Sequence, residues 1–117
     1  MIGTPGAGDY VQLSPRGSVM VFDDEHLAIW ERGGDRQDGV HMTVYFRARE
    51  ALMQIVPASV VRFYGTTKVY HSGPIYEAVW DRLIQTEKKG DPEKKGVAVL
   101  IAIERIEDVA RKSLTRL

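Results

Sequence analysis

The run Gly96-Val97-Ala98-Val99-Leu100-Ile101-Ala102-Ile103 sets the strictest limit on how this chain can fold. It carries no polar side chain, yet it is too short to cross a bilayer as a helix. In a soluble protein such a run is a strand buried on both faces. A strand of that kind needs neighbours, and the chain is rich in strand signals. Val19–Phe22 and Leu27–Trp30 flank a turn at Asp23-Asp24-Glu25 and read as a hairpin whose faces are largely apolar on both sides. His41–Arg47 and Val60–His71 are rich in branched and aromatic residues, with Gly65 expected to mark a bulge or bend. Gly6-Ala7-Gly8-Asp9, between Ile2 and Val11, reads as a turn joining two short strands.

One helix stands out, from about Pro74 to Glu87. Ile75, Tyr76, Val79, Trp80, Leu83 and Ile84 recur there at helical spacings. Ser72 or Gly73 would cap it, and Pro74 suits a first turn. Lys88 and Lys89 fit a C-terminus, Gly90 a left-handed terminal residue, and Asp91-Pro92 a stop. Two stretches stay open. Ala48–Ser59 could hold a helical turn or a strand ended by Pro57, and Val109–Leu117 a short helix or an arm. About six strands and one late helix predict a small antiparallel barrel, with the second face of the last strand free to pack on another subunit.

Composition narrows the possible functions. At 117 residues the chain predicts one domain, residues 1–117, in which a partner subunit could supply part of the core. Lys plus Arg equal Asp plus Glu at 16 each, which gives no bulk attraction to nucleic acid or to an anionic membrane. The absence of cysteine excludes disulfides, thiolate nucleophiles and Cys-based zinc sites. His26, His41 and His71 lack a metal-binding spacing, so each is expected as an ordinary strand or loop residue and no metal is expected. No leader or membrane span is read, and a cytoplasmic location is the expectation. The glycines near the N-terminus do not make a phosphate loop, because an Asp-Tyr-Val strand follows them instead of Gly-Lys-Ser or Gly-Lys-Thr.

An anion site, if present, is therefore local, and the first hairpin offers one. Ser14, Arg16 and Ser18 precede its first strand, while Arg32 and Arg36 follow its second. Chain reversal brings those two ends together. Guanidinium and hydroxyl donors gathered there could hold a phosphate by charge-assisted hydrogen bonds. The plainer roles are a turn arginine in a surface ion pair worth under about 1 kcal/mol for Arg16, solvated loop charges beside Asp35 for Arg32 and Arg36, and simple packing for Trp30.

The order of parts resembles that of the pyridoxamine 5'-phosphate oxidase-like split-barrel flavoproteins. The resemblance lies in Leu13-Ser14-Pro15-Arg16-Gly17-Ser18 with its hairpin to Trp30, in Val61–Val69, in the helix, and in the closing segment Val97–Val109. It implies a six-stranded antiparallel split β-barrel of Greek-key type with one principal helix. It also implies a homodimer that binds flavin mononucleotide (FMN) in clefts between subunits. Carried over, Ser14, Arg16 and Ser18 line the cleft, Val19 and Met20 offer backbone to the ring system, Ile29 and Trp30 flank the flavin, and Arg32 and Arg36 form the cationic loop. Gln37 is the one amide in that loop. No catalytic residue is assigned, since hydride chemistry would belong to the cofactor.

The chain departs from the pattern in three places. The family's helix before the first strand is not expected here, Arg36-Gln37-Asp38-Gly39-Val40 runs directly into the next strand, and Val60 stands where the vitamin oxidase has Gln. Pyridoxamine phosphate oxidase activity itself is not expected. What is expected is a small FMN-dependent oxidoreductase acting with a small substrate or a reduced nicotinamide donor. The alternatives are a deazaflavin cofactor or a non-catalytic dimeric binding module. Nucleic acid and membrane are not expected partners.

Overall fold

The computed structural model describes residues 2–5, 11–14, 19–32, 36–47, 60–108 and 113–115. Eight strands and two helices are formed there: β1 (Ile2–Pro5), β2 (Val11–Ser14), β3 (Met20–Asp23), β4 (His26–Glu31), β5 (His41–Arg47), β6 (Val60–Tyr70), α1 (Pro74–Arg82), α2 (Gln85–Lys89), β7 (Val97–Asp108) and β8 (Ser113–Thr115). Hydrogen-bonded neighbours follow the order β2-β1-β5-β6-β7-β4-β3, and β8 pairs with β7. The neighbours β1·β5 and β4·β7 are not consecutive in the chain, as Greek-key connections require. The fold is mainly antiparallel β with one principal helix, as expected.

Two compact units divide the chain: residues 1–15, 40–66 and 103–117 form one, and residues 16–39 and 67–102 the other. In the first, the two short strands expected near the N-terminus pair antiparallel, from Ile2↔Ser14 to Pro5↔Val11. Residues 6–10, the expected turn, lie outside the described residues, as does 48–59. Met42 and Val44 on β5 alternate with Thr43 and Tyr45, and Val61 and Phe63 on β6 alternate with Arg62 and Tyr64. The former sets are buried, together with Ile2. On the other face the Arg62 guanidinium lies over the Tyr45 ring and Arg105 over Tyr64, whose hydroxyl donates to Glu107. Gly65 pairs with Met42 in unbroken register, so the bulge expected there does not form. Register shifts instead between Val21 and Asp23 at the β3–β4 turn, and between Ile106 and Glu107 where β7 meets β8. The terminal segment was open between helix and arm; its described part, β8, is a strand against Ile106 and Glu107.

In the second unit β4 pairs with β7 in register from His26↔Ala102 to Glu31↔Val97. β7 contains the strand buried on both faces that the apolar run predicts. Leu27, Ile29, Val99 and Ile101 are fully buried on one face. Ala28, Trp30, Ala98 and Leu100 occupy the other and pack against Tyr76, Val79 and Leu83. Small alanines on that face leave room for the aromatic rings. β3 departs from the expectation of two covered faces: it is an edge strand, with Val21 42% exposed.

The expected single helix is interrupted. Leu83 and Ile84 are extended, with ψ of 143° and 156°, and Ile84 begins α2 by accepting from the Glu87 and Lys88 amides. The break keeps Leu83 in the core and turns Ile84 outward, 61% exposed. No Gly or Pro stands at that point, so periodicity alone read straight through it. Gly73 caps α1 at φ 98°, a backbone state open chiefly to glycine, with Pro74 following as expected. The left-handed residue expected at Gly90 is Lys94 instead, at φ 57°, while Gly90 is right-handed. Arg82, in the last turn of α1, donates to the Phe22 carbonyl and covers the Phe22 ring, which fastens the helix to the edge strand.

Removing the buried Ile101 side chain should therefore be costly. Ile101→Ala is expected to lower unfolding free energy by about 2–5 kcal/mol, whereas Ile84→Ala should stay within about 0.5 kcal/mol. Urea unfolding of the two variants checks the contrast.

Candidate anion-binding end of the first hairpin

The antiparallel pairing of Met20 with Ala28 puts the start of β3 beside the end of β4. Val19 and Met20 are half-buried there, and Met20 packs against the core. Arg16 and Ser18 lie outside the described residues, and Ser14 ends β2. The site as built therefore consists of the end of β4, the loop 36–40 and the loop 90–96.

Trp30 is the anchor. Its indole Nε1–H donates to the Asp91 carboxylate at 2.9 Å, and its ring lies 5.1 Å from that of Tyr76 and 5.0 Å from that of Trp80. Asp91 also accepts the Lys95 and Gly96 amides, at 2.9 and 2.7 Å. Burial pushes its carboxyl up, but the Lys95 amide, the Trp30 indole and the Gly96 amide, with the Arg32 charge behind them, more than offset this and hold it below the ordinary 3.8. Gly96 is required by closeness: a Cβ there would stand 2.4 Å from Trp30 Nε1 and 2.8 Å from the Glu31 carbonyl oxygen.

Beyond Trp30 the side chains diverge. Arg32 is exposed and donates to the Gly90 carbonyl at 3.0 Å, next to the Asp91 that holds Trp30. Glu31, buried between them in sequence, points from the opposite face of β4 and receives Arg36 Nη2 at 3.0 Å. The two loop arginines thus attach to opposite faces of the strand end. They do not form one cluster.

Arg36 is preceded by residues 33–35, which lie outside the described residues, and followed by a firmly tied turn. The Gln37 carbonyl accepts from the Thr67 hydroxyl, Gly39 N–H donates to the Thr67 carbonyl, and Asp38 accepts the Val69 amide. That amide bond, chiefly, with Lys68 and His71 nearby, holds the Asp38 carboxyl below its ordinary value. Gln37 is exposed, and Ile29 is fully buried on the face of β4 opposite Trp30. Sequence reasoning missed Glu31 and Asp91. Asp91 was read as a helix stop, although Asp-Pro followed by a closely packed glycine is also what a side-chain-tied loop requires.

Among the described residues no three His, Asp or Glu gather as a metal would need. No helix among them is long and apolar enough to cross a membrane.

The strand order, the two short hairpins and the one packed helix are those of a split-barrel domain. The same fold is found in HupZ of Group A Streptococcus, at 20% identity over 98% of this chain and 87% of that one, with a TM-score of 0.63. It is also found in a "putative pyridoxamine 5'-phosphate oxidase" of Lactobacillus delbrueckii, at 22% identity over 90% and 79% of the two chains, with a TM-score of 0.57. No family model and no curated protein matches the chain. At these identities the likeness is one of fold.

Asp91 adds stability that depends on pH. Because its carboxyl is lowered in the native state, the unfolded chain takes up the proton first as pH falls. The contribution is complete above about pH 5 and is lost as pH drops through the lowered native value. Asp91→Asn, which turns an N–H toward other donors, should cost about 1–3 kcal/mol at pH 7 and flatten the acid limb of a plot of melting temperature against pH.

Proposed function

We propose that the protein is an FMN-binding flavoprotein, a small flavin-dependent oxidoreductase related to the pyridoxamine 5'-phosphate oxidase-like proteins but distinct from that enzyme. The observation that carries this reading is the shared split-barrel fold, in which the first hairpin delivers preorganised cations to its open end. The donor set suits a phosphate. Arg36 has a buried Nε with no hydrogen-bond partner among the described residues, which is what a guanidinium awaiting a second acceptor would leave.

In this reading Arg36 and the Arg16 segment hold the phosphate tail, Arg32 borders the cleft from the other face of β4, and the backbone at Val19 and Met20 faces the ring. Trp30 and Ile29 act from behind by keeping β4 rigid, since their side chains are committed to packing. FMN would supply two-electron transfer between a reduced nicotinamide or small substrate and an acceptor. The protein's part is to bind, orient and exclude water. A homodimer completes the cleft, and the site is cytoplasmic.

A deazaflavin is a close variant of this reading, with the same phosphate-bearing tail. A second reading keeps flavin or deazaflavin binding without turnover; it is favoured by the commitment of Arg36 to Glu31, which already meets one of the loop's charges.

Purified protein should show flavin absorbance, or acquire it with micromolar FMN, and Arg16→Ala should weaken binding. A colourless protein that takes up no flavin contradicts the proposal. Bound flavin that neither nicotinamide cofactor reduces favours the non-catalytic reading.

A further inference from the structure

We propose that Glu31 is a built-in placeholder for an anion at Arg36, and that a phosphate monoester group displaces it on binding. This rests on reading the hairpin end as the phosphate site, and it narrows that site to one guanidinium and its competitor.

A guanidinium presents neighbouring N–H groups side by side, so that one carboxylate or phosphate can accept two at once. Glu31 accepts one of them, from Nη2 at 3.0 Å. The Nε of the same group is buried without a partner among the described residues. Leaving a buried donor unmet is unfavourable, and a free pair of side chains would shift to cure it. This pair is held on both sides. The backbone of Glu31 is fixed by its ladder position opposite Val97, and its side chain is only 8% exposed. Arg36 is fixed by the turn at Gln37–Gly39 that is tied to Thr67 and Val69.

The result is a two-pronged donor kept half-filled by the protein's own carboxylate. Arg36 retains 16% exposure of its side chain, and its buried Nε comes within reach of an incoming group when the Glu31 carboxylate swings aside. A phosphate monoester carries more acceptor oxygens than Glu31 can present from its ladder position, and it can meet both prongs. Glu31 then becomes a like charge beside the ligand, which opposes anion binding in the resting protein. Arg32 donates instead to the Gly90 carbonyl, at the rim of the Asp91 loop.

Inorganic phosphate is the probe, titrated against chloride at matched ionic strength and followed by melting temperature. Glu31→Gln keeps the shape and removes the charge, and should bind phosphate at least about tenfold more tightly than the natural protein. Glu31→Asp, which withdraws the carboxylate from Nη2, should fall between them and serves if the glutamine variant fails to fold. Arg36→Ala should lose the phosphate response. Equal or weaker phosphate binding by both Glu31 variants overturns the proposal, as does a response that survives Arg36→Ala. Parallel titrations with FMN and riboflavin separate the two levels. A Glu31→Gln gain for FMN but not riboflavin supports both. A phosphate response with no flavin uptake upholds Glu31 as placeholder and removes the flavin reading. Flavin uptake with FMN affinity unchanged in Glu31→Gln does the reverse.

Discussion

The acceptance of the Trp30 indole proton by the buried Asp91 carboxylate is the contact on which the second unit turns. It joins the loop before β7 to the last residues of β4, two places 61 residues apart in the chain. A carboxylate in that position must have its lone pairs met, and two backbone amides of its own loop meet them. Loop, strand end and indole are therefore locked as one piece. The aromatic contacts with Tyr76 and Trp80 then build α1 onto the same indole.

That lock decides what the hairpin end can present. Because Trp30 is turned into the core, Glu31 must point from the other face of β4, and the pleat separates the partners of Arg32 and Arg36. The first arginine rests on a carbonyl at the rim of the Asp91 loop, and the second meets a carboxylate beneath a turn tied to β6. Cations here are positioned by strand geometry. Their charge alone would not set them apart from the chain's other basic residues, since acids and bases balance overall.

Much of the fold was legible because its signals are strong and local. The apolar run specified a doubly buried strand, and alternation together with Asp23-Asp24-Glu25 specified the hairpin that pairs with it. His41–Arg47 begins and ends where branched and aromatic composition placed it. Features set by tertiary contacts were not legible. The helix breaks at Leu83 without a breaker residue, Gly65 forms no bulge because its ladder to β5 continues, and Gly90 is small to clear the Arg32 side chain and not to turn left-handed. At the candidate site, sequence identified the hairpin and its loop arginines. It could not show that Glu31 would face Arg36, because that depends on which face Trp30 takes, and Trp30 is oriented by an aspartate far along the chain.

Hydrogen exchange of the tryptophan indole protons tests this dependence most directly. The chain has two tryptophans, which Trp80→Phe would tell apart by NMR. If Asp91 holds Trp30 as described, the Trp30 indole proton should exchange only when the protein unfolds globally, at a rate that tracks overall stability. Exchange of that proton as fast as from a solvent-facing indole, in protein that remains folded, would contradict the account.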